Sequence, residues 1–291
     1  MKAPRVYVTA DIGREAILRL SGAGFEVEVH PKIEPPDYEE LTGKVASGID
    51  ALVTTIRDRI DEALLSKAAG AGLKIVAQVA VGYDNIDVPA ATRHGIPVAN
   101  TPDVLSDATA EFAFFMMGDV ARKLYPSEDL VRSGRWGVWH PHHPWLGDNV
   151  AGKTVAVIGA GRIGKAFVHK CAGFDMDILC HARTPDEKFR ADVQRVMDLR
   201  AELGFGKRRT IEYVTLDRAL STADFVSLHV PLIKSGPDAT VRFMNEARLR
   251  RMKKTAYLIN TTRGPVVDED ALARVLLDLS LIHISEPTRP Y

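Results

Sequence analysis

The sequence is short of cysteine, of long apolar runs and of any surplus of charge, and each shortage removes a class of protein. Two cysteines, Cys171 and Cys180, in 291 residues build no disulfide framework and fit a reducing compartment. Lys plus Arg equals Asp plus Glu at 38 each, so no global field gathers nucleic acid or an anionic membrane, and any anion site has to be local. The most apolar helical stretch, around Phe112 to Met117, is far shorter than a membrane span. The N-terminus, Met1-Lys2-Ala3-Pro4-Arg5, enters a strand within a few residues and lacks a signal-peptide core, so the expected location is the cytoplasm. With 46% apolar and 26% charged residues, the chain has the composition of a globular protein, and its length suits one large or two ordinary domains.

The most informative stretch is Thr154-Val155-Ala156-Val157-Ile158, which runs straight into Gly159-Ala160-Gly161-Arg162-Ile163-Gly164. A short β-branched run reads as a strand buried on both faces of a parallel sheet. The Gly-x-Gly-x-x-Gly after it is what a strand-to-helix turn needs in order to hold a pyrophosphate. Gly159 allows the tight turn, Gly161 lets backbone approach phosphate, and Gly164 lets the helix pack close to the strand. The helix from Lys165 onward points its N-terminal N–H groups and positive dipole end at the anion.

Around this motif the chain alternates strand and helix patterns. Val6–Val8, Phe25–Val29, Ala51–Val53, Ile75–Ala77 and Pro97–Ala99 are strand candidates, with helical periods such as Arg14 to Leu20 and Asp61 to Ala69 between them. A second series runs through Val155, Asp177–Cys180, Phe225–Leu228 and Tyr257–Ile259. The pattern predicts an α/β protein of two doubly wound parallel-sheet (Rossmann or flavodoxin-like) domains. They would join near Asn100-Thr101-Pro102, with a connecting helix from about Ser106 to Lys123. From Thr184, Thr-Pro-Asp-Glu reads as a capping box with proline at the first helical position. Phe189, Val193, Val196 and Leu203 then recur at helical spacing, before a basic turn at Gly206-Lys207-Arg208-Arg209. The arm Trp136 to Trp145 is too rich in proline for a regular helix, and no internal repeat is found.

A dinucleotide site usually presents an acidic residue to the adenosine 2′-hydroxyl about twenty residues beyond the glycines. Here the second strand ends in Cys180-His181-Ala182-Arg183-Thr184, with no carboxylate. A guanidinium pairs well with a 2′-phosphate, so Arg183 favours NADP over NAD; the alternative is an arginine that stacks on adenine or is merely solvated. Arg263, after the strand Tyr257–Ile259, faces the crevice where open α/β sheets bind ligands and could fork two hydrogen bonds to a carboxylate. On its own, an arginine after a strand is more often a surface or ion-pairing residue.

Several segments together resemble one family. Val79 to Asp87, Gly95 to Pro102, Asp107 to Glu111, the stretch around Gly159, His229-Val230-Pro231-Leu232 and Asn260 to Asp268 are similar to the D-isomer-specific 2-hydroxyacid dehydrogenases, in the family's order, and most of all to its glyoxylate/hydroxypyruvate reductase branch. The resemblance implies hydride transfer between a nicotinamide and a small 2-oxo acid or its D-2-hydroxy acid. It assigns residues 1–103 to the substrate domain and 104–278 to the cofactor domain. It implies that Val81 and Gly82 offer backbone N–H groups to the substrate carboxylate, and that Arg263 binds the carboxylate and the reacting carbonyl. Gly159, Gly161, Arg162, Ile163 and Gly164 would hold pyrophosphate, and Arg183 and Thr184 would meet the adenosine end. Val230, Pro231, Thr261 and Thr262 would line the nicotinamide ribose, with Thr109 nearby. An NAD-dependent dehydrogenase of another D-2-hydroxy acid, such as phosphoglycerate or lactate, stays open. So does a non-catalytic, corepressor-like dinucleotide-binding protein.

The histidines divide. His140, His142 and His143 lie among prolines with no carboxylate or thiolate at ligand spacing, so no metal site is expected. In the family this arm lies near the dimer contact, so a homodimer is expected, with Trp139 or Trp145 reaching the neighbouring subunit. His229 reads as structural lining. The family's proton donor is a histidine held by a glutamate, both well beyond the Asn-Thr-Thr-Arg-Gly strand, and this chain departs from the pattern after Leu277. His283 and Glu286 stand in the reverse order and three residues apart, so they are not taken as that pair. Residues 279–291 resemble a translated sequencing adapter, the alternative being a genuine shortened C-terminus. On this reading the second domain is incomplete, its sheet and helix faces are partly bare, and the chain as given is inactive or nearly so while keeping weak cofactor binding.

Overall fold

The computed structural model describes residues 3–141, 146–279 and 282–285; for residue 279 and the last four, only the backbone is described. The chain divides into two compact units, Met1–Leu105 and Ser106–Tyr291. The first carries β1 (Arg5–Val8), α1 (Arg14–Gly22), β2 (Glu26–Val29), α2 (Tyr38–Ala46), β3 (Ala51–Thr54), α3 (Glu62–Gly70), β4 (Ile75–Gln78), α4 (Val88–Arg93) and β5 (Val98–Ala99). Its strands form a parallel sheet in the order β2-β1-β3-β4-β5. Strict strand–helix alternation produces this arrangement, because a parallel neighbour can be reached only by a crossover. Asp37, Asp61 and Asp87 each cap a helix, accepting from the backbone N–H three residues on.

The second unit opens with α5 (Ser106–Arg122) and α6 (Leu124–Arg132). It continues through β6 (Thr154–Ile158), α7 (Arg162–Ala172), β7 (Asp177–His181), α8 (Glu187–Glu202), β8 (Ile211–Tyr213), α9 (Leu216–Thr222), β9 (Phe225–Leu228), α10 (Glu246–Leu249), β10 (Tyr257–Asn260), α11 (Glu269–Leu279) and β11 (Ile282–Ser285). These strands are also all parallel, in the order β11-β10-β9-β6-β7-β8. Both units are therefore parallel-sheet α/β, the expected fold class. Val155 to Ile158 are fully buried, and burying each of the larger side chains among them contributes about 1.5–3 kcal/mol relative to exposure. On α5, Ala110, Ala113, Phe114, Met117, Val120 and Ala121 face the core, the i, i+3, i+4, i+7 stripe of a helix packed on one side. The Phe114 ring meets Phe167 of α7 edge-on at 6.3 Å.

Three local readings need correction. Thr184 does not cap α8; the cap is Asp186, whose side chain accepts from the Phe189 N–H at 2.9 Å. Pro185 therefore lies outside the helix, and Asp186 is held by a second partner, the Lys165 ammonium, which keeps its carboxyl below the usual carboxylate range. Val193 and Met197 form the buried stripe of α8, whereas Val196 and Leu203 are exposed: the four-residue spacing from Phe189 won over the three-residue step. The sheet edge beyond β10 is not bare, since residues 282–285 run parallel to it, Tyr257 opposite Ile282. Ile-His-Ile is β-prone enough to take that place. Residues 135–140 form neither helix nor strand; His142, His143, Trp145 and Glu286 lie outside the described residues.

Candidate active site

In the second unit every strand is parallel, so the carboxyl ends of β6, β7, β9 and β10 share one edge. The β6–α7 turn sits there. Gly159 has φ +99°, a conformation that L side chains avoid. Its N–H donates to the His181 carbonyl at 2.8 Å, and a Cβ there would come within 2.7 Å of the His229 carbonyl oxygen. A Cβ on Gly164 would overlap the Gly159 carbonyl oxygen itself. These two glycines are thus demanded by packing alone. Gly161 is different: its φ of −78° suits any residue and a Cβ on it would touch nothing. It is the N-cap of α7 and gives that helix no side-chain acceptor. The first N–H groups of α7 are left without the side-chain cap that Asp186 supplies to α8.

The turn borders a cavity of about 460 Å³ lined by Gly159, Gly161, Arg183, Thr184, Val230 and Pro231, among others. A cavity ending on an uncapped helix N-terminus, behind a glycine that packing does not require, fits a phosphate-bearing ligand. Ile163 is half-buried against the core around Phe167, while Arg162 is exposed. Thr109 is half-buried in the first turn of α5. Arg183 is exposed and ion-paired to Asp238 at 2.5 Å.

His229 follows β9. Its Nε2 lies 2.9 Å from the Ser227 hydroxyl, its ring packs on Phe167 at 4.9 Å, and its Nδ1 is buried without a partner among the described residues. Some of the residue stays accessible, but Nδ1 is shut from water and Nε2 is taken up by Ser227, and burial pushes its pKa down to about 3. A ring held neutral in this way is not a proton donor near neutral pH.

At the end of β10, Asn260 organises the next three residues, a role the sequence reading did not give it. Its Oδ1 accepts from the Thr262 N–H at 3.0 Å and hydroxyl at 2.7 Å, and its Nδ2 donates to the Arg263 carbonyl at 3.0 Å. The Thr261 hydroxyl is buried without a partner among the described residues. Arg263 is half-buried and donates from Nη1 to the Thr262 carbonyl at 3.0 Å.

In the first unit, Val81 and Gly82 follow β4. Asn100 Nδ2 donates to the Val81 carbonyl at 2.9 Å, and Gln78 Nε2 donates to the Gly82 carbonyl at 3.1 Å. Gln78 also reaches Asn85 Oδ1 at 2.9 Å, and Asn85 in turn donates to the carbonyls of Thr55 and Asp58. Both peptide carbonyls are therefore fixed by side chains, that of Gly82 by Gln78 at the end of β4 and that of Val81 by Asn100 from beyond β5. The two thiols, Cys171 and Cys180, are buried and free, with pKa values pushed up by burial, that of Cys180 to about 12. They are inert on this ground. Among the described residues no group of His, Cys, Asp and Glu is arranged to hold a metal ion, and no helix is long and apolar enough to cross a membrane.

Comparison with known proteins bears on the same segments. The profile for "D-isomer specific 2-hydroxyacid dehydrogenase, NAD binding domain" matches residues 114–283. The chain is 44% identical to a glyoxylate reductase of Thermococcus kodakarensis over 277 residues, 94% of this chain and 76% of that one. It is 42% identical to a glyoxylate reductase of Korarchaeum cryptofilum, over 94% of this chain and 75% of the relative. Among solved structures, a protein of Thermus thermophilus superposes with a TM-score of 0.81 at 35% identity, covering 99% of this chain and 83% of its own. A D-lactate dehydrogenase of Aquifex aeolicus, solved with NAD and lactic acid, gives 0.79 at 25% identity, over 97% and 76%. The glycine turn, the parallel sheet and these relatives lead to one assignment: the chain is an oxidoreductase with a nicotinamide-dinucleotide domain, and it belongs to the D-isomer-specific 2-hydroxyacid dehydrogenase family.

Proposed function

We propose that the chain serves the reduction of a small 2-oxo acid, glyoxylate or hydroxypyruvate, to its D-2-hydroxy acid, with NADPH preferred over NADH. The observation that carries the reading is one sheet edge presenting both the uncapped N-terminus of α7 and, two strands away, the Asn260-braced Arg263. Relatives named glyoxylate reductase at 42–44% identity support the choice of acid. The preference for NADPH rests on Arg183 at the cavity rim and on the absence of a carboxylate at the end of β7.

When bound, the reduced dinucleotide supplies a hydride to the 2-oxo carbon. Arg263 pairs with the substrate carboxylate and stabilises the negative charge that grows on the carbonyl oxygen. In the first unit, Val81 and Gly82 offer backbone N–H groups to a carboxylate. Gly159, Gly161, Arg162, Ile163 and Gly164 seat the pyrophosphate, Val230, Pro231, Thr261 and Thr262 border the ribose, and Thr109 stands beside them. The alkoxide then needs a proton, and His229, neutral and paired to Ser227, does not deliver it.

The test is calorimetric titration with oxamate, a non-reacting 2-oxo acid analogue, in the presence of NADPH. Wild type is expected to bind it, and Arg263→Ala to weaken binding by about 100-fold, the loss of a charge-assisted pair. Equal affinities refute the role of Arg263.

The irregular arm supports a homodimer. Val138 is 83% exposed and Trp139 67%, more apolar surface than a solvated loop needs. Sedimentation should find a dimer that Trp139→Ala loosens; an unchanged association constant removes the arm from the contact.

A further inference from the structure

The end of β7 has no carboxylate, yet the cavity is not without one. The segment after His229 closes on itself through Thr240, a buried residue whose hydroxyl donates to the Pro231 carbonyl at 2.5 Å and accepts from the Ile233 N–H at 2.7 Å. The Thr240 N–H returns to the Ile233 carbonyl at 2.9 Å, and Gly236, with φ +91°, lets the chain turn between them. This closed loop places Pro237 and Asp238 on the cavity wall with Arg183 and Thr184. There Asp238 Oδ2 meets Arg183 Nη1 at 2.5 Å.

We propose that Asp238 is the acidic group of the adenosine subsite, delivered from the 231–240 loop instead of from β7, and that it limits the preference Arg183 gives to NADPH. The inference rests on the dinucleotide reading of the cavity. A 2′-phosphate carries close to two negative charges. To reach Arg183 it has to displace the Asp238 carboxylate or sit beside it, and either lowers the gain from the guanidinium. A 2′-hydroxyl meets no such penalty, because a carboxylate accepts its proton as a hydrogen bond. The Arg183–Asp238 pair thus makes one subsite serve both dinucleotides, with the balance set by the carboxylate. Both side chains are more than half exposed, so water and salt screen the pair and its effect is moderate.

The experiment measures the dissociation constants of NADPH and NADH from nicotinamide fluorescence, in low and high salt. The proteins are wild type, Asp238→Asn, Arg183→Ala and the double variant. Asp238→Asn is expected to raise the ratio of NADPH to NADH affinity by about five- to tenfold at low salt, mostly by tightening NADPH. High salt should shrink the gain, and in the Arg183→Ala background most of it should vanish. Both residues are on the surface, so unchanged melting temperatures are expected, and Asp238→Ala provides a second neutral replacement. A ratio within a factor of two of wild type in both Asp238 variants overturns the inference and leaves the dinucleotide reading standing. A wild-type chain that binds neither dinucleotide overturns both.

Discussion

Replacing Gly161 by alanine should leave the fold intact and cripple dinucleotide binding, whereas replacing Gly164 should damage both. The two glycines sit three residues apart in one turn, but they face different surroundings. A methyl group on Gly164 has to occupy the space of the Gly159 carbonyl oxygen. That carbonyl cannot retreat, because Gly159 is pinned by its hydrogen bond to His181 and pressed against the His229 backbone. Overpacking where backbone meets backbone is expected to cost about 3 kcal/mol, read as a fall in the urea midpoint at constant slope. A methyl group on Gly161 meets nothing within 4 Å and suits the local backbone, so stability should stay within about 0.5 kcal/mol. It does stand on the cavity side of the turn, before N–H groups with no side-chain cap. Keeping an anion off those groups by even about 1 Å should weaken NADPH by about 100-fold. A glycine kept only for the turn would show neither this loss nor the contrast with Gly164.

Acid should destabilise the second unit through His229. Its folded pKa of about 3 lies below the ordinary 6.5, so between those values the unfolded chain binds a proton that the folded one refuses. Stability from this residue is therefore fully present above about pH 6.5 and is lost progressively as pH falls towards 3. The full shift corresponds to an upper bound of about 5 kcal/mol. The residue keeps some exposure, which brings the expected loss to about 2–3 kcal/mol. Urea unfolding followed from pH 7 to pH 4 reads it directly. The paired change His229→Phe with Ser227→Ala removes both hydrogen-bonding partners together, which avoids leaving the Ser227 hydroxyl orphaned. The pair should flatten the pH slope relative to wild type; an identical slope in both proteins sinks the assignment. The same depressed pKa keeps His229 from acting as the acid in catalysis, so the stability curve and the mechanism test one property.

What the sequence makes legible is what neighbouring residues decide. Strand β6, the glycines and α7 are consecutive, and each reads from its own composition, as does the α5 stripe from Ala110 to Ala121. Short elements escape: β8 is three residues long and pairs only because β7 offers an edge. Capping was misplaced because Thr184 and Asp186 both suit an N-cap, and the choice fell to Asp186, which Lys165 also holds across 21 residues. The site's supports are the least visible. Asn260 bracing Arg263 is local and could have been found from Asx-turn chemistry. Asn100 fixing the Val81 carbonyl, and Asp238 facing Arg183, join segments that only the folded chain brings together.

The central claim is that the Gly159–Gly164 turn is a dinucleotide cradle, and equilibrium titration of the wild-type and Gly161→Ala chains with NADPH tests it most directly. The account predicts saturable binding to wild type, with one site per chain, and binding weaker by about 100-fold in the equally stable variant. No saturable binding to wild type at millimolar NADPH, or equal affinities in the two proteins, would contradict it.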